Sequence, residues 1–476
     1  MIGLVRVVKT QESRQFEMDS GGVSVQLKSY SRGLFIVSAC FFLLGTVFAT
    51  KFADFVGIDS EYDIKRIIEI GCIWLFSLGI CFVKDIQFIR LSIATKALAF
   101  IFFTFAICSA LLSKHPFWGA IEIANIGLLI CVFIFFVISM RAFESDTVHF
   151  GVYACFLLFS VFTFVKYILF LLFSYADAQS FDIHGLISGY VNVRFFNQLQ
   201  VMVMPLLFLP FFKQDLAKFR SVSFIVISLY WMVLLQTEAR GGLLSLTLAS
   251  SMIMLFLGKG SCKQFIFTLL QTILLGIFLW LVFIIIIPYW LMESANFQMR
   301  TGSSGRVDLW LFVLTSMPES LWLGFGPMSF TWAEGKPLPH AHPHNAVMQL
   351  LYEFGAITCV VTTAWVISRV YNRLIMLKQP KNATIMPITY AVLSGLIYSC
   401  FSGVAVMPFA QILFVFLLAM LMSYDERDAY KLGLLTRIGL FLLISVIGCL
   451  LLGTFKHQEL LPAMFPRIWV HGLISY

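Results

Sequence analysis

The sequence predicts an all-α, polytopic integral membrane protein with about 12–13 transmembrane helices and one large external loop before the tenth span. Three observations carry that reading. Only 12% of the 476 residues are charged and 60% are hydrophobic, with 51 phenylalanines, whereas a soluble domain averages about 25% charged residues. The apolar residues fall in runs long enough to cross a hydrocarbon core of about 30 Å. Between spans, only residues 174–194 and 292–345 form long polar intervals.

The apolar runs lie at about 33–50, 67–83, 97–113, 117–140, 148–173, 195–212, 221–237, 241–258, 265–291, 346–368, 384–400, 405–422 and 436–453. Each must be helical, because lipid-exposed backbone has to satisfy its own hydrogen bonds, and the runs are too long for barrel strands. About thirty mostly polar residues precede the first run, which therefore reads as an uncleaved span rather than a signal peptide. The organisation expected is a cytoplasmic tail at 1–32, spans one to nine within 33–291, the large loop at 292–345, the remaining spans within 346–453 and a tail at 454–476. No internal repeat is visible.

Orientation follows from the basic residues between spans. With a cytoplasmic N-terminus, 21 of the 33 lysines and arginines lie inside and 11 outside, with Lys166 within a span. Both long loops then face outward. The basic residues are scattered among the connections, so the net charge of +8 is no sign of nucleic-acid binding.

Three of the eight histidines sit in "HAHPHN", residues 340–345, where the chain re-enters the membrane. A metal site is one reading of H-x-H-x-H, although Pro339 and Pro343 interrupt it and no cysteine or carboxylate pattern supports zinc. Plain loop is a second reading, expected for His340. Proton transfer is the third, since an imidazole of ordinary pKa near 6.5 can deprotonate a hydroxyl at the membrane surface. On the same side the chain keeps Arg194, Arg240, Arg300 and Arg306, against the positive-inside preference. Guanidinium forks grip phosphate bidentately, and the phosphates at hand are lipid head groups; helix-end anchoring is the plainer alternative. Gly241 and Gly242, after Arg240, suggest a sharp turn and close ligand approach.

From His344 the sequence runs "HNAVMQLLYEFGAIT", with Gly355 and Thr358 spaced downstream. Together with "SSGRVDLW", "LGFGPMSF" and "RGGLL", in which Arg240 and Leu244 have an Arg-x-x-x-Leu spacing, it resembles the bacterial O-antigen ligase superfamily over about residues 235–360. That superfamily includes O-antigen ligases, O-antigen polymerases and pilin-type O-oligosaccharyltransferases. The resemblance implies a metal-independent glycosyltransferase of the bacterial inner membrane, without a cofactor. It would move a preassembled glycan from undecaprenyl diphosphate to an acceptor hydroxyl, with its active site facing the periplasm.

The residues agree with such chemistry, since a diphosphate leaving group needs positive charge where its own charge develops. His344 is the expected general base. Arg240, Arg300, Arg306 and Arg194 are the expected diphosphate ligands, with Asn345 orienting the imidazole and His342 contacting the acceptor. Lipid A core is the leading acceptor. A pilin or other protein is the alternative, favoured by the asparagine-glutamine pair in "NVRFFNQLQ", which otherwise reads as a polar start to a helix; another lipid-linked repeat comes third. A different class, a transporter or flippase for a lipid-linked anion, would need ionisable groups at mid-membrane depth. Glu122, Lys166 and Lys96 are the candidates, and the two lysines could snorkel to the interface. The ten cysteines lie mostly in apolar runs, where thiols behave as small hydrophobes. Trp118, Tyr289, Trp290 and Trp332 read as interface anchors.

Overall fold

The computed structural model describes residues 25–47, 58, 60–179, 190, 192–292, 302, 305–424, 428–455 and 467–469. Each of the thirteen apolar runs coincides with a helix. In order these are α1 (Val25–Thr46), α2 (Glu61–Phe82), α3 (Ile93–Leu112), α4 (Pro116–Met140) and α5 (Ser145–Ala176). Next come α6 (Val193–Phe212), α7 (Arg220–Gln236), α8 (Arg240–Phe256) and α9 (Lys259–Met292). After α10 (Arg306–Ser316), inside the long loop, follow α11 (Ala346–Met376), α12 (Met386–Ser399), α13 (Pro408–Ser423) and α14 (Leu434–Gly453). Among the described residues nine of them are long and apolar enough to cross a membrane, and α8 and α13 are shorter apolar helices.

Boundaries differ from the sequence reading where polar residues join a helix. Among the described residues the helix Val25–Thr46 already includes part of the segment expected to be a tail, and Tyr30 gives its hydroxyl to Phe76 O of α2 at 3.0 Å. Ser60 caps α2 by accepting from Tyr62 N and Asp63 N, so Lys65 and Arg66 belong to a helix rather than to a connection.

The core is a bundle in which α6 is enclosed by α12, α13 and α8, while α4 lies between α13, α3 and α14. Trp118 is buried, which does not fit an interface anchor, and the half-buried Trp332 stacks on His115 with ring centroids 4.7 Å apart; Tyr289 and Trp290, near the end of α9, are exposed. All ten cysteines are free thiols. A two-stranded antiparallel sheet, β1 (Gln87–Ile89) against β2 (Ala429–Lys431), joins two connections on the face opposite the long loop.

The feature that positions the site is a break in α11. Gly355 has φ +78° and ψ 174°, a conformation essentially closed to L side chains. Into the break runs the loop segment 321–326: Phe325 N donates to Tyr352 O at 2.9 Å, Gly326 N to Glu353 O at 3.1 Å, and Ala356 N to Leu321 O at 2.8 Å. A Cβ on Gly355 would lie 2.2 Å from Trp322 O. The backbone groups freed by the break are thereby satisfied.

Candidate active site

The long loop has its own small core. Leu309 and Val313 of α10, with Met317 and Phe330, pack on Tyr352 of α11. This core fixes the loop against the membrane helices, and polar side chains then fix the histidine segment. Lys336 Nζ donates to His340 O at 3.0 Å, Thr331 Oγ1 to Ala341 O at 3.3 Å, and Trp310 Nε1 to Pro343 O at 3.0 Å. A further donor, Arg467 Nη1, reaches Ala341 O at 3.2 Å. Successive carbonyls of the segment are therefore held from different directions, which restricts where the three rings can stand.

His344 has φ +55°, a left-handed conformation uncommon for a residue other than glycine. Its backbone N–H donates to His342 Nδ1 at 3.2 Å, so a neutral His342 carries its proton on Nε2. The His344 ring lies 4.2 Å from that of His342 and 4.9 Å from that of His340. Immediately afterwards Asn345 caps α11, its Oδ1 accepting from Val347 N at 3.0 Å and Met348 N at 3.1 Å. The side-chain oxygen of Asn345 thus starts the helix.

Electrostatics keep these rings neutral. Burial, followed by the charges of His340, Arg306 and Arg194, pushes His344 down to about 3. Burial chiefly, with His344 and Arg467 beside it, pushes the fully buried His342 well below its ordinary value, and His340 is lowered by burial, Arg194 and Lys336. An unprotonated imidazole is the form that can accept a proton.

The same interactions locate the arginines. Arg306 feels both Arg194 and Arg240, and His344 feels both Arg306 and Arg194. Three cations from α6, α8 and α10 therefore share one neighbourhood with the histidines. Arg240 Nη2 donates to Gly302 O at 2.7 Å, whereas Arg306 Nε is buried and has no partner among the described residues. Among those residues no carboxylate pairs with Arg194, Arg240 or Arg306. Converging, unneutralised guanidiniums repel one another unless an anion joins them. Arg300 lies outside the described residues.

Gly241 and Gly242 have a different use from the one expected. Both are helical, and the backbone turn is made at Glu238, with φ +50°. A Cβ on Gly241 would meet Phe401 Cβ at 3.0 Å, and one on Gly242 would meet Leu234 Cδ1 at 3.1 Å. The glycines let α8 pack closely against its neighbours.

Beneath the histidines lies a charge network that sequence reasoning missed. Arg467 is 1% exposed and donates to Glu353 Oε1 at 2.7 Å, Glu353 Oε2 at 2.6 Å and Glu122 Oε1 at 3.0 Å. Tyr62 gives its hydroxyl to Arg467 O at 2.8 Å, and Arg66 donates to Asn125 Oδ1 at 3.2 Å and Val406 O at 3.2 Å. The available signal was a glutamate in the apolar stretch "LYEFGA", which requires a cationic partner. That partner stands 114 residues away in the C-terminal tail. Glu122 is thus an ion-pair partner, Lys166 Nζ donates to Val47 O at 3.1 Å, and Lys96 is exposed.

The asparagine-glutamine pair is also structural. Asn197 donates to Gln200 Oε1 and Thr237 Oγ1, each at 3.0 Å, Gln198 to Ser402 Oγ at 3.0 Å and Gln200 to Tyr230 O at 2.6 Å. These bonds tie α6 to α7 and to the connection after α12. Among the described residues no three His, Cys, Asp or Glu side chains form a metal-holding group.

No curated protein and no solved structure matches the chain. Residues 224–363 match the family described as O-Antigen ligase, a stretch that contains Arg240, Arg306, the histidine segment and Glu353 but neither Arg194 nor Arg467. That match, on a bundle of apolar helices with one long loop before α11, supports membership of the chain in the O-antigen ligase superfamily.

Proposed function

We propose that the protein is a membrane glycosyltransferase that moves a preassembled glycan from undecaprenyl diphosphate to an acceptor hydroxyl at the periplasmic face of the bacterial inner membrane, as an O-antigen ligase acting on lipid A core. The observation that supports this most directly is the shared neighbourhood of Arg194, Arg240, Arg306 and His344, three cations with no carboxylate partner among the described residues beside a neutral imidazole. The arginines grip the diphosphate and stabilise the charge that develops as it leaves. The acceptor oxygen attacks the anomeric carbon, the bond from that carbon to the diphosphate oxygen breaks with its electron pair, and the hydroxyl proton passes to the free ring nitrogen of His344. Direct displacement inverts the anomeric configuration. Neither a metal nor a cofactor takes part.

His342, buried and committed to His344 N through Nδ1, shapes the base rather than meeting the acceptor. The feature that pointed to a protein acceptor, the asparagine-glutamine pair, is occupied in helix packing, which leaves lipid A core ahead of pilin and of a second lipid-linked repeat.

The test uses purified protein in detergent with purified lipid-linked glycan, offering lipid A core, a pilin and a second lipid-linked repeat in parallel. Transfer to lipid A core is expected, with loss of about 10²- to 10⁴-fold in His344→Ala. Full activity in that variant would remove the catalytic assignment. Transfer to neither glycan nor protein would favour the flippase reading, because detergent offers no compartment to cross.

A further inference from the structure

On the face opposite the histidines, a cavity of about 540 Å³ opens between α1, α4, α5 and α13. Its walls include Phe35, Phe42, Phe136, Phe143, Phe156 and Phe416. These rings brace one another: Phe35 and Phe143 have centroids 6.0 Å apart, Phe42 and Phe156 5.5 Å, and Phe136 and Phe416 5.1 Å. The space is therefore framed by packed aromatics. On α5, Gly151 lines this space, and a Cβ there would meet nothing within 4 Å, so a larger side chain has room to project into it.

Its mouth is charged. Lys28 and Arg32, one turn apart on α1, both line the cavity and both are exposed. Among the described residues neither pairs with a carboxylate. From Arg32 to Phe42 the helix rises about 15 Å, the depth of one bilayer leaflet. An apolar body of that length carrying an anionic head matches both halves, because water gains nothing in an apolar pocket and two cations at the interface attract phosphate.

We propose that this cavity binds one anionic phospholipid, an acyl chain lying among the phenylalanine rings and the phosphate between Lys28 and Arg32. The site is remote from the histidines and independent of the transfer reaction. The positive-inside reading puts it in the cytoplasmic leaflet.

The purified protein is titrated with phosphatidylglycerol or with phosphatidylcholine of the same chains, and retained lipid is read by native mass spectrometry. Phosphatidylglycerol should be held roughly tenfold more tightly. The double variant Lys28→Gln/Arg32→Gln should lose that discrimination, and Gly151→Leu should weaken retention of both lipids by filling the space. Equal retention of the two lipids by the unaltered protein overturns the proposal, as does discrimination that survives the double variant. Should the double variant fail to fold, Gly151→Leu decides alone: phosphatidylglycerol held as tightly as before overturns the site.

Discussion

Arg467 and Glu353 meet fork to fork, both carboxylate oxygens within 2.7 Å of guanidinium nitrogens, at a depth where neither side chain is more than 1% exposed. The same guanidinium holds Ala341 O, so a residue of the C-terminal tail supports the histidine segment from below.

Removing Arg467 leaves Glu353 and Glu122 as buried carboxylates without their cation. Arg467→Met should cost about 3–5 kcal/mol, read as a fall in thermal midpoint in detergent. The double variant Arg467→Met/Glu353→Met should recover part of that loss, and a strictly additive loss would show that the pair is not coupled.

Gly355→Ala should be among the most damaging single-methyl changes in the chain. The backbone conformation costs about 1–3 kcal/mol for a non-glycine residue, and the added carbon would meet Trp322 O at 2.2 Å. Thermal midpoint and protease accessibility of the segment 321–326 are the measurements, and an unchanged midpoint would show that the break in α11 does not depend on glycine.

The pH dependence has a definite sign. In the proposed mechanism protonation of His344 removes the general base, so activity is lost as pH falls through the folded pKa. For His344 in the unliganded protein that value is pushed down to about 3 by burial and neighbouring cations. The profile of kcat/KM, which reports the free enzyme, should therefore show no acid limb from His344 near 6.5. A bound diphosphate screens Arg306 and Arg194 and should move the limb of kcat upward. Stability follows the same direction: the unfolded chain binds more protons between the two pKa values, so this contribution is complete above about 6.5 and fades as pH falls towards 3.

Arg240→Lys should lower transfer markedly while keeping the charge, because an ammonium cannot reproduce a planar fork. Wild-type rates in this variant would show that Arg240 supplies charge alone. Arg306→Gln should weaken donor binding and also raise the His344 pKa by removing a neighbouring cation, a paired effect that a purely structural role would not give.

The sequence disclosed the parts of this molecule that depend on local pattern. Thirteen apolar runs became thirteen helices because hydrocarbon permits no other open-chain solution, and the neighbourhood of Arg194 and Arg306 with His344 joins residues that their type alone had singled out. Partnership over long separations was hidden. Nothing near Glu353 announces Arg467, nothing near Asn197 announces Thr237, and the value of Gly355 depends on a loop segment thirty residues upstream. The helix start at Glu61 was missed because a polar first turn, capped by Ser60, looks like a connection when only apolar runs are followed.

The insertion of residues 321–326 into α11 ties the long loop to a membrane helix through backbone alone. Lifting it would strip Phe325 N, Gly326 N and Leu321 O of their partners, at a cost of about 0.5–1.5 kcal/mol per hydrogen bond lost. That stretch is in effect a rivet: the loop segment it carries travels with its transmembrane support.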